Sequence, residues 1–248
     1  EETPEAIRLS IPIIKEIISA YNIPILEVAG YEADDVIGTL ATKASLKSIE
    51  TYMMTPDKDY GQLVNDNVFI YKPKYGDKEF EIMGIEAVKA KFNIESPTQV
   101  IDILGLMGDA SDNIPGCPGV GEKTAQKLIS EFGSIENLLE NTEKLKGAVK
   151  TKIEANKELI VFSKFLATIK TDVPIELDMD SLKRQEPDEN KLRTIFEEME
   201  FRTLIERIFK SDKTKNDSKK ETLNLPFEEK RNPIQGDLFA EFTSTTSG

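Results

Sequence analysis

Asp109 and Asp112 stand three positions apart in Gly108-Asp109-Ala110-Ser111-Asp112-Asn113, so on a helical or turn backbone both carboxylates can project to one side. Two further acidic groups lie upstream, Glu32, Asp34 and Asp35 in one and Asp57 and Asp59 in the other. The chain has no histidine and one cysteine, Cys117. Histidine general bases, Ser-His-Asp triads, imidazole metal sites and internal disulfides are therefore excluded, and carboxylates are left to carry any metal. Seven of them converging on one pocket would repel one another strongly, which makes a hard divalent cation such as Mg2+ the natural partner. Each group also has a plainer reading: a helix cap for 109 and 112, a complement to a helix dipole for 32, 34 and 35, and a turn for 57 and 59.

Directly after Asp112, the residues Pro115, Gly116, Pro118, Gly119 and Gly121 predict a tight turn. The turn feeds a helix over 122–132, with Ala125, Leu128, Ile129 and Phe132 at helical spacing and Gly133 as its stop. Glycines before a helix start leave backbone N–H groups accessible, the physical requirement for gripping a phosphate. Gly121 is expected to use a positive φ that only glycine adopts without strain.

The elements that must position these groups follow from periodicity. Apolar residues from Ile7 to Tyr21 repeat at helical spacing, with Pro12 expected to kink or restart the helix. A strand over 25–28, a helix over 33–46 and a strand over 50–55 read as a parallel βαβ unit, hence an α/β fold. Both upstream acidic groups would then follow adjacent parallel strands, where such sheets place ligands. Segments 67–71 and 79–83 read as a hairpin turning at Gly76-Asp77. Helices are expected over 84–92, 97–107, 122–132, 134–140, 148–169 and 188–200, with an extended stretch over 172–177. Residues 211–248 are polar and Ser/Thr-rich at the end, expected as a linker with Leu238-Phe239 as a docking element.

The formal charge of −13 is unusual for a DNA binder. Between Lys123 and Lys170, however, nine lysines face six acids, so the local charge is positive where the glycine turn leads. No apolar run approaches the roughly 20 residues that span a bilayer, the first residues are acidic, and one cysteine suits a reducing compartment. A cytoplasmic protein without membrane partners is expected.

Gly119-Val120-Gly121 followed by Lys123-Thr124-Ala125 resembles a helix–hairpin–helix DNA-binding motif. Tyr31-Glu32-Ala33-Asp34-Asp35, Thr55-Pro56-Asp57-Lys58-Asp59 and Gly108-Asp109 with Ser111-Asp112-Asn113 resemble the acidic motifs of the 5′-nuclease (flap endonuclease) family. The likeness is greatest to its branch of 5′→3′ exonuclease regions attached to bacterial DNA polymerases I. The resemblance implies a parallel-sheet, three-layer α/β nuclease domain over 1–94, an all-α helix–hairpin–helix and helical region over 95–209, and a tail over 210–248. It implies two Mg2+ or Mn2+ ions, with Glu32, Asp34 and Asp35 in the first site and Asp57, Asp59, Asp109 and Asp112 around the second. It further implies that Gly116, Gly119, Val120, Gly121, Lys123, Thr124 and Lys127 grip duplex DNA at 5′ flaps, nicks or branches, with proofreading-like and polymerase domains downstream. The likeness starts inside the family pattern: two strand aspartates and most of a basic arch would precede Glu1. A chain so truncated is expected to hydrolyse DNA poorly alone. The alternatives are a branched-DNA binding module without turnover and a small ribonuclease domain of related construction, which would not need the duplex grip.

Overall fold

The computed structural model describes residues 3–73 and 80–209, so the expected turn at Gly76-Asp77 and the expected linker over 211–248 lie outside the described residues. In chain order the elements are α1 (Glu5–Ala20), α2 (Ala33–Leu46), β1 (Thr51–Met54), β2 (Val68–Pro73), β3 (Phe80–Met83), α3 (Ile85–Phe92), α4 (Val100–Met107), α5 (Glu122–Phe132), α6 (Ile135–Glu140), α7 (Gly147–Ala155), α8 (Lys157–Ala167), α9 (Glu189–Glu198) and α10 (Arg202–Phe209). Among the described residues they group into two compact units, one within 23–185 and one formed by 3–22 with 186–209. Among the described residues no helix is long and apolar enough to cross a membrane.

The sheet of the larger unit has the order β1-β2-β3. β1 and β2 are parallel, with Met53 opposite Ile70, and β2 and β3 are antiparallel, with Ile70 opposite Met83. The sheet is thus mixed, and its antiparallel part is the expected hairpin. Alternation along the strands buries Met53, Val68, Ile70 and Met83 on one face. The other face carries Tyr52 stacked on Phe69 and Tyr71 stacked on Phe80, at ring separations of 5.4 and 4.8 Å.

Residues 25–28 form no strand, contrary to expectation. Their composition suits a sheet, but Ile25 and Leu26 stay about 40% exposed and find no pairing partner among the described residues. The acids at 32, 34 and 35 therefore follow a loop, and only Asp57 and Asp59 follow a strand. Two helix expectations also change. α1 runs unbroken through Pro12, because the carbonyl that loses its donor, that of Arg8, sits on exposed backbone. The helix expected over 148–169 splits at Asn156, whose side-chain amide donates to the Lys152 carbonyl at 2.8 Å and competes with the helical bonds.

The core of this unit is centred on α4, where Val100, Ile103, Leu104 and Leu106 are fully buried. A helix apolar on all sides has to be enclosed. Gly105 permits the closest approach: a Cβ there would lie 3.0 Å from the Lys164 backbone on α8 and 2.8 Å from Ile135. The one acid on α4, Asp102, is 4% exposed; it accepts from Lys164 Nζ at 2.6 Å and from the Ile135 N–H at 3.0 Å. α4 is thereby fixed in position and ends at the loop that carries Asp109. In the smaller unit, Ala20 of α1 packs with Leu192, Ile195 and Phe196 of α9 and Phe209 of α10.

Candidate metal centre and hairpin

Gly108 closes α4 with a φ of +74° and opens the acidic loop. The loop is pinned by reciprocal backbone bonds between Asp109 and Ile114, at 2.9 and 2.8 Å, with Ile114 buried beneath it. Further along, Gly116, at φ +62°, crosses over Gly108 so tightly that a Cβ on it would lie 2.3 Å from the Gly108 nitrogen. The Gly116 N–H donates to Ser163 Oγ at 3.0 Å and the Cys117 N–H to the Leu106 carbonyl at 2.7 Å. Asp109 and Asp112 thus project from a loop with little freedom to move.

The second group is set by the end of β1. The Asp57 N–H donates to Thr55 Oγ1 at 3.1 Å, and Asp57 Oδ1 in turn accepts from the Asp59 N–H at 2.9 Å. This starts the 3-10 turn over 59–63, which buries Asp59 to 7% exposure. The next residue, Tyr60, donates its hydroxyl to Asp34 Oδ1 at 2.7 Å, tying α2 to this turn. Burial, then the bond to Asp34, raises the Tyr60 phenol further, so it remains a donor.

Asp59, Asp109 and Asp112 form a compact group in which one ligand oxygen from each lies within 4.8 Å of the others. Asp59 Oδ1 is buried and has no hydrogen-bond partner among the described residues. A buried carboxylate oxygen without a donor is costly unless a cation meets it. Burial, followed by the charge of Asp57 and, more weakly, of Asp109 and Asp112, pushes the Asp59 carboxyl up to about 7, against a smaller opposing effect of Lys58. Asp112 is raised as well, by burial and then by the charges of Asp109, Asp57 and Asp34; Asp57, which accepts from the Asp59 N–H, and Asp34, bonded to Tyr60, stand beside the group. Asp109 goes the other way: burial works to raise it, but bonds from Lys58 and Ser111 outweigh that and hold it below the ordinary range. An all-carboxylate donor set with an orphaned oxygen fits a hard divalent cation.

Glu32 and Asp35 are differently employed. They form a reciprocal capping box at the start of α2, in which the Glu32 N–H reaches Asp35 Oδ2 at 3.4 Å. Asp35 Oδ1 accepts from the Lys170 N–H at 2.9 Å. Of the seven acids, three therefore cluster, Asp34 and Asp57 border them, and two cap a helix.

The hairpin residues divide in a similar way. Gly116 and Val120 are buried and shape the turn, whereas Gly119, Gly121, Lys123 and Lys127 are exposed and Thr124 is half-buried. Positive φ falls on Gly116 and Gly119, while Gly121 is extended at φ −98°, correcting the expectation for that residue. Gly121 instead caps α5, its carbonyl accepting from the N–H groups of Thr124 and Ala125 at 3.0 Å. The N–H groups of Gly121, Glu122 and Lys123 have no partner among the described residues, so an exposed cluster of donors stands at the helix start. Lys152 braces the turn by donating to the Gly119 carbonyl at 2.9 Å.

Four contributors carried no assigned role in the sequence reading: Lys58, which ion-pairs with Asp109, Tyr60, Ser111 and Lys152. Lys58 and Tyr60 flank Asp59 in sequence, and that adjacency was the available signal.

Two family descriptions match the chain: a 5′-3′ exonuclease N-terminal resolvase-like domain over residues 1–93 and a 5′-3′ exonuclease C-terminal SAM fold over 95–190. The 5′-3′ exonuclease of Aquifex aeolicus is 41% identical over 209 residues, covering 84% of this chain and 70% of that protein. DNA polymerase I of Bacillus caldotenax is 39% identical over 209 residues, covering 84% of this chain and 24% of the polymerase. The chain thus spans about a quarter of the length of that relative. Among solved structures, T5 5′-exonuclease with divalent zinc ions bound shares the fold at a TM-score of 0.57, with 20% identity over 81% of this chain and 72% of the other. Matches to both domains, together with a relative covered over most of its length, show that this chain belongs to the 5′-3′ exonuclease family.

Proposed function

We propose that the chain is a divalent-metal nuclease module that hydrolyses the phosphodiester backbone of DNA at 5′ flaps or nicks, as the 5′→3′ exonuclease region of a DNA polymerase I. The observation that carries this reading is the cluster of Asp59, Asp109 and Asp112, with its buried and unpartnered Asp59 oxygen. Those three residues would hold Mg2+ or Mn2+, with Asp34 and Asp57 at the border. A bound divalent ion supplies an acidified water and stabilises charge on phosphate oxygens. The chain's own residues do the rest. The pinned loop over 108–116 holds the carboxylates in register, and Tyr60 orients Asp34. The free N–H groups at the start of α5, with Lys123, Thr124 and Lys127, grip backbone phosphates without reading bases.

A second reading, a module that binds branched DNA without turnover, is favoured by one observation: Glu32 and Asp35 are occupied in capping α2. One experiment separates the two. The purified chain is given a 5′-labelled flap, a nicked duplex and a linear duplex, each with Mg2+ or Mn2+. Metal-dependent cleavage, however slow, that is abolished by Asp112→Asn while flap affinity stays within about threefold supports the nuclease. Tight flap binding with no cleavage in either metal supports the second reading. Full activity of Asp112→Asn refutes the assigned site.

A further inference from the structure

Lys58 lies in sequence between Asp57, at the border of the cluster, and Asp59, within it, and points its ammonium at a second member, Asp109. Asp109 Oδ1 accepts from the N–H of Ser111 at 2.9 Å and from its hydroxyl, while Oδ2 is covered by the Lys58 Nζ. Both oxygens of this acid, whose side chain is only 6% exposed, are therefore occupied by donors from the chain itself. The Lys58 side chain is 35% exposed, so its ammonium has a route to solvent that the Asp109 carboxylate lacks. Two cations cannot share one carboxylate oxygen without strong mutual repulsion in so dry a place. Asp109 Oδ2 can thus face either the lysine or a metal ion, and the lysine is the member able to leave.

We infer that Lys58 is a built-in counter-cation of the carboxylate cluster, seated on Asp109 when no metal is bound and displaced into solvent when a divalent ion takes that oxygen. The inference rests on the metal reading above and goes beyond it. It assigns Lys58 a role opposite to that of a ligand or phosphate grip, because it lowers the affinity of the site for metal while holding the metal-free chain together. An ammonium also suits exchange with a small ion. It is a compact charge on a flexible stem, and loses fewer fixed hydrogen bonds on leaving than a guanidinium would.

The test uses the full chain, titrated calorimetrically with Mn2+ and with Mg2+ after chelation and dialysis. Lys58→Met keeps the apolar stem and removes the charge; Lys58→Arg keeps the charge. Lys58→Met is expected to bind Mn2+ about tenfold tighter or more, a change of ~1.4 kcal/mol. Its metal-free melting temperature should fall by several degrees, and Lys58→Arg should stay within about threefold of wild type in affinity. An independent readout needs no variant. Amine labelling of the wild-type chain, resolved by peptide mass spectrometry, should show Lys58 protected in chelator and labelled several times faster with Mn2+. This second readout also decides the matter if Lys58→Met does not fold. Equal or weaker Mn2+ binding by a folded Lys58→Met, or equal labelling with and without Mn2+, overturns the inference while leaving the metal site standing. No Mn2+ or Mg2+ binding by the wild-type chain overturns the metal reading itself, and the displacement with it.

Discussion

The acidic loop rests on a backbone crossing that tolerates no side chain, so Gly116→Ala should be among the most damaging single-methyl changes in the chain. Two penalties add. At φ +62° an alanine sits in the left-handed region, at a cost of about 1–2 kcal/mol. Its Cβ would also lie 2.3 Å from the Gly108 nitrogen and 2.6 Å from the Met107 carbonyl carbon. Those neighbours are backbone atoms held by the end of α4, so relief requires moving the loop by about 1 Å, and overpacking of that kind typically costs about 1–3 kcal/mol. The expected loss is therefore on the order of 2–5 kcal/mol in urea denaturation followed by circular dichroism, with weakened Mn2+ binding because Asp109 and Asp112 ride on the displaced segment. Two glycines nearby act as internal controls. Gly119→Ala shares the positive φ, at +75°, but its Cβ would meet the far end of the flexible Lys152 side chain. It should cost about 1–2 kcal/mol. Gly121→Ala has φ −98° and open space around the new methyl, so it should stay within about 0.5 kcal/mol of wild type. A Gly121→Ala more damaging than Gly116→Ala, or a Gly116→Ala indistinguishable from wild type, would refute the crossing as the element that holds the loop.

The Asp59 carboxyl, raised to about 7 by burial and then by Asp57, makes metal-free stability depend on pH. The folded chain holds that proton more tightly than the unfolded one, so this stabilising contribution is complete below about pH 4 and is lost as pH rises to about 7, by up to ~4 kcal/mol. Asp59→Asn should remove that part of the slope in urea titrations with chelator, and saturating Mn2+ should reverse the loss; an unchanged slope would count against it. Lys164→Met should cost about 3–5 kcal/mol at neutral pH, because it strands the buried Asp102 carboxylate with one remaining donor, the Ile135 N–H. Adding Asp102→Asn should recover much of that loss, whereas Glu136→Gln, at a side chain 63% exposed, should cost under about 1 kcal/mol.

Helices with chemical punctuation at both ends were legible in the sequence. α5 runs from Glu122 to Phe132 between Gly121 and Gly133, and α2 from Ala33 to Leu46 behind its acids, both as expected. One break left no such mark in the sequence. The break at Asn156 depends on a side-chain amide turning back onto the Lys152 carbonyl, a choice that helical periodicity does not register. α10 was read only as part of the helical region over 95–209 and not as a separate helix, although Phe201, Leu204, Ile205 and Ile208 keep helical spacing; Glu200, at φ +55°, separates it from α9. The expected strand over 25–28 failed for a tertiary reason. Strand propensity describes fitness for a pleated, half-buried surface, and no strand lies alongside this segment among the described residues.

All seven acids were named from sequence as candidate ligands, but which of them the fold gathers was not legible, because each group begins a helix or a turn and looks alike in one dimension. Part of the division was available. Glu32 and Asp35 stand three apart astride a helix start, the spacing of a capping box, and α2 uses them so. Asp57 and Asp59 gave no such cue. They stand two apart, and one becomes a hydrogen-bond acceptor at the turn while the other is driven inward. What drives Asp59 inward is the packing of its successors. Tyr60 is buried against the core, and a Cβ on Gly61 would meet Val100 at 3.2 Å and Val88 at 3.4 Å, on helices far along the chain. Desolvation, which turns a carboxylate from a cap into a site that demands a cation, is thus decided by residues about 30 to 40 positions away, whereas the immediate neighbour, Lys58, places its ammonium on Asp109.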